Sequence, residues 1–487
     1  MNRRQFMTLG AAAATATLLK GAPIPSPARK PNIVVIFTDD HGWADLGAHG
    51  AATDIKTPFV DELAKSGARC VSGYATAPQC IPSRAGLMSG RCQNRFGVED
   101  NNQGPYPLDV ATLPERLAKA GYRCGQVGKW HLNPNAGSKK WLGANGFASM
   151  KEVPWEKQIP FFPCQRGFHD YFTGEMRRYW ANYALDGSSL PEARWVEDER
   201  YRIDVQTEAA LAFVRRNREQ PFFLYLAYYG PHTPFGTAPE YLARFPGAMP
   251  ERRRQALGCI AAIDDGVGKI SDELKKSGLA QDTLVFFISD NGAPLHGRRD
   301  APLDKEPGGW DGSINDPWLG EKGMLSEGGI RVPFVVSWPG RIQSAVIRKP
   351  VSTLDVAATA CALSGFPSDP ALDGIDLTPA LCGGSTAALE RPLFWRWGTQ
   401  AAVRLGPWKL LRLGGGRELL FDLESDAHER NDLAASQPGR CAELRNLLAR
   451  WADGLTPGGL PAAKPSKQEK NWYEEHFSIK EEGADPG

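Results

Sequence analysis

Five short runs of this chain read as strands, most of them apolar at nearly every position: Asn32 to Thr38, Tyr122 to Gly128, Phe222 to Tyr229, Thr283 to Ser289 and Val332 to Ser337. Such runs of β-branched and aromatic residues predict strands buried on both faces, the situation of a largely parallel sheet. Helix-like segments lie between them, among them Pro58 to Ser66, Leu113 to Ala120, Asp204 to Arg216 and Arg254 to Lys276. Their alternation predicts an α/β fold, with a large, mostly parallel central sheet flanked by helices. Polar residues gather where the strands end: Asp39 and Asp40 after the first, Lys129 and His131 after the second, His232 after the third, Asp290 and Asn291 after the fourth. Ligands of open α/β sheets bind beyond the carboxyl ends of the strands, so four strands point at one site.

Two stretches depart from this rhythm. Lys151 to Glu199 is dense in aromatics and arginine, including Trp155, Phe162, Arg177, Arg178 and Trp180. It reads either as an irregular binding insertion or as a layer covering the sheet. From about Arg391, short runs at Phe394 to Trp397, Ala401 to Leu405, Lys409 to Leu413 and Glu418 to Leu423 are separated by turn residues, and an amphipathic helix follows near Cys441 to Leu455. These predict a small C-terminal antiparallel sheet with a helix. The expected organisation is a leader over residues 1–28, a main domain over 29–390, a subdomain over 391–456 and an extended tail over 457–487.

With 57 basic against 56 acidic side chains in 487 residues, nothing in the balance suggests a nucleic-acid or membrane-surface partner. The N-terminus, Met1-Asn2-Arg3-Arg4-Gln5-Phe6-Met7 followed by an Ala, Thr, Leu and Gly run to Leu19, looks like a twin-arginine export signal. Its apolar part is too short for a stable transmembrane anchor, so the expected destination is periplasmic or extracellular. Export permits disulfides, and nine cysteines leave at least one unpaired, for which Cys80 is the candidate. No Cys or His spacing suits a zinc site.

The candidate chemistry centres on Cys80-Ile81-Pro82-Ser83-Arg84, continuing to Arg91. Pro82 suits a first helical turn, which places Cys80 where unpaired N–H groups and the helix dipole favour an anion. Arg84, four residues on, returns to the same helix face. Standing alone, Cys80 reads as a buried structural cysteine; the full stretch to Arg91 reverses that reading, because it resembles the signature of the type I sulfatases of the alkaline phosphatase superfamily. Gly121 to His131, ending Gly128-Lys129-Trp130-His131, resembles that family's second signature, with Cys124 where Thr or Ser is usual. Period two puts Lys129 and His131 on one face and Trp130 on the other. Asp39-Asp40-His41-Gly42 and Asp290-Asn291-Gly292 resemble its two metal motifs, and their oxygens suit Ca²⁺, with Mg²⁺ second. Asp39 and Asp40 can share one ion only if the strand ends there. His232, in Gly230-Pro231-His232, resembles a histidine that contacts the leaving oxygen, and Lys322, in Glu321-Lys322-Gly323, a lysine that binds the sulfate. Taken singly, the acidic pair also reads as a turn, His232 as a loop histidine and Lys322 as a solvated charge.

The resemblance implies that Cys80 is oxidised to formylglycine by a maturation enzyme, and that it is a metal contact together with Asp39, Asp40, Asp290 and Asn291. It further implies attack on sulfur by the hydrated aldehyde, with Arg84 and Lys129 orienting it, His232 and Lys322 serving the leaving group and His131 taking the proton that releases sulfate. A cation-rich site of this kind fits a sulfuryl or phosphoryl oxyanion and fits glycosidic chemistry poorly. The expected activity is sulfate-ester hydrolysis on a carbohydrate. The alternatives are a phosphonate monoester or phosphodiester hydrolase of the same superfamily, and a non-catalytic binder of sulfated glycans. Arg177, Arg178, His296, Arg298 and Arg299 suggest contact with a polyanionic sugar chain.

Overall fold

A computed structural model describes residues 29–304 and 309–477, so the expected leader lies outside the described residues. Ten strands form one sheet: β1 (Asn32–Asp39), β2 (Ala68–Cys70), β3 (Arg123–Gly128), β4 (Asp170–Thr173), β5 (Arg178–Tyr183), β6 (Ser189–Glu197), β7 (Phe222–Pro231), β8 (Thr283–Ser289), β9 (Phe334–Ser337) and β10 (Ala345–Ile347). Their spatial order is β10-β2-β9-β8-β1-β7-β3-β4-β5-β6. The middle strands β8, β1, β7, β3 and β4 run parallel. The expected fifth strand begins at Phe334 and runs antiparallel to β8.

Strand alternation feeds two cores. Ile33, Val35 and Phe37 face one core with residues of α2 (Cys80–Ser89), α3 (Leu113–Lys119) and α6 (Leu354–Ser364). Val34 and Ile36 face another with residues of α1 (Pro58–Ser66), α4 (Arg202–Asn217) and α5 (Glu251–Lys276). A strand covered on both sides must be apolar at every position, which is why β1, β7 and β8 carry no alternating pattern. The arginine-rich stretch is not irregular, contrary to expectation: β4 adds parallel to β3, and β5 and β6 continue antiparallel to the sheet edge. In β5, Tyr179, Ala181 and Tyr183 are buried while Arg178, Trp180 and Asn182 are more exposed, the half-buried alternation of an outer strand.

The C-terminal strands β11 (Leu393–Trp397), β12 (Gln400–Leu405), β13 (Trp408–Arg412) and β14 (Glu418–Asp422) form an antiparallel meander. Val403 and Leu410 pack on Leu444 and Leu448 of α7 (Pro438–Asp453). The opposite face, with Trp395, Leu411 and Phe421, packs on Met324, Leu325 and Ile330 of the main domain. The tail is not extended throughout: α8 (Lys467–Phe477) buries Trp472 and Tyr473 in this second cluster. Two large aromatics one position apart supply enough apolar area to order a segment that composition alone reads as solvated. All nine cysteines are free. Among the described residues, no helix is long and apolar enough to cross a membrane.

Lys409 of β13 joins the two parts. Its ammonium, fully buried, lies 2.9 Å from Glu327 and 2.8 Å from Glu429, both equally buried. Removing one member of a buried ionic group leaves the others uncompensated. Lys409→Ala is therefore expected to lower unfolding stability by about 3–5 kcal/mol, measured by denaturant titration.

Candidate active site

Cys80 opens α2, whose ten residues are all buried. The Ile81 N–H donates to Asn101 Oδ1 at 2.9 Å, so this end of the helix is held from outside. The Cys80 Sγ lies 3.5 Å from Asp39 Oδ1. Burial pushes its thiol well above the usual range, although Lys129 and Lys322 pull the other way. As a plain thiol, Cys80 is a poor nucleophile.

β1 ends at Asp39, and Asp40 takes a left-handed backbone, φ 60°. That turn lets two consecutive carboxylates face one point, as the strand geometry required. Ligand atoms of Asp39, Asp40, Cys80 and Asp290 lie within 4.8 Å of one another. Asn291 donates its Nδ2 to Asp40 at 2.6 Å, while its Oδ1 is buried and has no hydrogen-bond partner. An orphan amide oxygen beside three carboxylates is a hard-oxygen donor set, so these residues fit a divalent cation. The loop is close-packed: a Cβ on Gly292 would stand 1.9 Å from the Gly328 carbonyl oxygen.

Cations surround the carboxylates. Arg84, fully buried, donates to Asp290 at 2.7 Å and to Tyr225 at 3.2 Å, and stands 3.5 Å from Asp39. Lys129 reaches Asp39 at 2.6 Å and lies over the Tyr229 ring at 4.9 Å. Lys322 reaches Asp40 at 2.8 Å. Burial alone would lower the lysines, but Asp39 holds Lys129 up and Asp40 holds Lys322 up. β3 stops at Gly128, and His131, with φ 59°, turns out of the strand line. Trp130 packs inward, edge-on to Phe168 at 5.6 Å, but the strand has already ended, so the alternation expected for Lys129, Trp130 and His131 does not apply to them. Burial, then Lys129 and Arg84, hold His131 well below the usual imidazole range, and its Nδ1 is without a partner. His232 stacks on Tyr229 at 5.1 Å with Nε2 3.6 Å from Asp40, and burial lowers it despite that carboxylate.

All the residues singled out from the sequence as site candidates thus converge at the carboxyl ends of β1, β3, β7 and β8. Sequence reasoning passed over Tyr225, Tyr229 and Arg202. Arg202 donates to the carbonyls of His232 at 2.7 Å and Pro234 at 2.8 Å, with its guanidinium 4.8 Å from the Tyr229 ring. Tyr229 closes the expected strand Phe222 to Tyr229, directly before Gly230-Pro231-His232, and was within reach; Arg202, at a helix start about thirty residues before His232, carries no such signal.

A half-open cleft of about 370 Å³ adjoins the cluster, lined by His131, Phe162, Glu175, Arg178, Trp195 and Tyr229 among others. Of the four arginines expected to face a polyanion, Arg178 lines this cleft, 4.5 Å from the Trp195 ring. Arg177 pairs with Glu199 at 3.3 Å, Arg298 with Asp300 at 2.9 Å, and Arg299 lies over Trp310 at 4.5 Å. His296 binds the buried Glu321 at 2.8 Å.

The fold and this site define a hydrolase of esters of a tetrahedral oxyanion. The sulfatase family model matches residues 31–366. Rattus norvegicus N-acetylgalactosamine-6-sulfatase is 32% identical over 433 residues, 84% of this chain and 75% of the relative. Homo sapiens arylsulfatase A is 31% identical over 473 residues, 90% and 87% of the two chains. The solved structure of Ps i-CgsB in complex with k-i-k-neocarrahexaose superposes with a TM-score of 0.73 at 29% identity, covering 92% of this chain and 98% of that one. The chain belongs to the sulfatase family and is a sulfuric ester hydrolase.

Glu321 ties the loop that follows Asp290 and Asn291 to Lys322. It accepts from the N–H groups of Leu295 at 2.6 Å and His296 at 2.8 Å, while His476 of α8 stands 3.5 Å away. Against burial, hydrogen bonds from His296 and His476 hold its carboxyl down to about 2, and Glu321 in turn raises His296. A raised histidine contributes stability below its unfolded pKa, about 6.5, and loses it as pH rises through its folded value. His296→Ala is expected to lower the unfolding temperature more at pH 5.5 than at pH 9. The difference should be under about 1 kcal/mol, because the ring is half-exposed and screened.

Proposed function

We infer that this enzyme hydrolyses sulfate esters on a carbohydrate, using a Cys80 oxidised to formylglycine and a Ca²⁺ ion held by Asp39, Asp40, Asp290 and Asn291. The observation that carries the reading is the placement of Cys80 at a helix start, 3.5 Å from Asp39, inside a ring of Arg84, Lys129 and Lys322. The carbohydrate part is supported by relatives named for N-acetylgalactosamine-6-sulfatase activity and by a neighbour solved with a neocarrahexaose. Formylglycine, once hydrated, supplies two hydroxyls on one carbon, one to attack sulfur and one whose loss of a proton expels sulfate. The cation supplies charge that favours the attacking oxygen in its ionised form.

The chain's own residues do the rest. Arg84 and Lys129 fix the orientation of residue 80 and offset negative charge gathering on the sulfuryl oxygens. Lys322 binds a sulfate oxygen. Arrival of an anionic ester favours the charged imidazole of His232, which then donates its proton to the leaving alcohol. His131, kept neutral by burial and neighbouring cations, accepts the proton whose removal frees sulfate. The same reading has the oxidation made by a formylglycine-forming enzyme, and export to the periplasm or beyond directed by the leader containing Arg3 and Arg4.

Mass analysis of the peptide containing Cys80, taken from protein made in its original host, is expected to find aldehyde in place of thiol. Cys80→Ser should bind an aryl sulfate yet lose turnover by about a thousandfold or more, since a serine ester lacks the second hydroxyl. A preference for aryl phosphate diesters or phosphonate monoesters over aryl sulfate would overturn the sulfate reading. Calcium at a hundredfold excess over its dissociation constant should stabilise the fold by about 2.7 kcal/mol, and Asn291→Ala should shrink that gain.

A further inference from the structure

The cleft beside His131 holds an acidic group that an anion-binding site has no evident use for. Glu175 lines it, half-buried, and its side chain makes no hydrogen bond or ion pair among the described residues. Its charge is near enough to act on both Lys129 and Tyr229. The Arg178 guanidinium does not neutralise it, lying instead over the Trp195 ring at 4.5 Å.

The position of Glu175 is held from several sides. Gln206 donates its Nε2 to the carbonyls of Gly174 and Glu175, both at 3.4 Å, and its Oε1 accepts from the Tyr229 N–H at 3.3 Å. The Gly174 N–H donates to the Gly128 carbonyl at 3.0 Å. The turn bearing Glu175 is therefore fastened to the same backbone that carries Lys129 and Tyr229. Trp195 and Phe162 give the cleft aromatic walls, and both are packed in place: Trp195 stands 5.5 Å from Trp180 and 6.0 Å from Trp155, which meets Phe162 at 4.8 Å. At about 370 Å³ the space suits a single sugar ring, not a length of chain.

Resting on the sulfate-ester reading, we propose that Glu175 selects the sugar. It accepts hydrogen bonds from hydroxyl or amide N–H groups beside the sulfated carbon and excludes rings carrying a second anion there. The substrate class is a monosulfated hexose or N-acetylhexosamine. An unpaired carboxylate accepts strongly from hydroxyl and amide donors, whereas a sulfate or carboxylate placed against it is repelled in a half-buried setting. The cationic ring around Cys80 draws one sulfate in; Glu175 penalises a neighbouring one. Selectivity for a polyanion, expected from the arginine count, is thereby reversed at the ring itself.

The test compares kcat/KM on a hexose monosulfate with that on the same hexose bearing a second sulfate on the adjacent carbon, for wild-type enzyme and Glu175→Gln. Wild type should favour the monosulfate by about tenfold or more, and the ratio should fall toward unity in Glu175→Gln. General damage to the fold would lower both rates together and leave the ratio unchanged. An unchanged ratio in the variant, or a wild type that favours the disulfate, overturns the proposal. Aryl sulfate turnover by wild type decides the sulfatase reading separately. If that failed, the same two sugars titrated by calorimetry would still decide the role of Glu175.

Discussion

Three carboxylates, Asp39, Asp40 and Asp290, lie in the interior within reach of one another, and everything at the carboxyl edge of the sheet is arranged to make that tolerable. Uncompensated, such a group would take up protons or force the strands apart. Arg84 from α2 and Lys129 from the end of β3 answer the charge, and Lys322 answers it from a separate loop. The pairing works in both directions, because a lysine as deeply buried as Lys129 would not hold its charge without Asp39. Each residue fixes the ionisation of its neighbour.

This mutual dependence explains why the layers are built as they are. Parallel strands deliver their C-terminal residues to one edge, and β1, β7 and β8 can do so only if their bodies are apolar on both sides. Helix α2 starts at that edge with its whole length buried, so Cys80 cannot drift relative to Asp39. Close backbone approaches such as Gly292 against Gly328 complete the restraint. The fold positions charge by excluding water, and each buried carboxylate lies beside at least one cation.

Much of this was legible in the chain. The doubly buried strands announce themselves because burial on both faces leaves a continuous apolar run, and the observed bounds of β8 coincide with the expected Thr283 to Ser289. Asp39, Asp40, Lys129, His131, His232, Asp290 and Asn291 follow the expected strands closely, so a local pattern fixes their place in space, whereas Cys80, Arg84 and Lys322 were named from the resemblance of their motifs. Strands β4 to β6 were hidden, since an outer strand keeps one polar face and Arg178, Trp180 and Asn182 mask the inward Tyr179, Ala181 and Tyr183. Helix α8 was hidden for another reason: two aromatics in a charged segment matter only when a distant cluster is there to receive them. Arg202 was illegible because its partners are set by tertiary contact alone, and Glu175 because only the fold brings it to the cleft.

The indole of Trp472 stands against Gly323, where a Cβ would come within 2.4 Å of it, and the neighbouring residue is Lys322. Gln400 of β12 holds the Gly323 carbonyl at 3.0 Å from the other side. The loop carrying Lys322 is thus braced by segments that emerge from the ribosome long after the loop itself. A nascent chain that has made Asp39, Asp40 and Asp290 still lacks the braces that fix their third cation. Assembly of this site is consequently a late event in the life of the polypeptide, coupled to synthesis of a region that touches none of the chemistry.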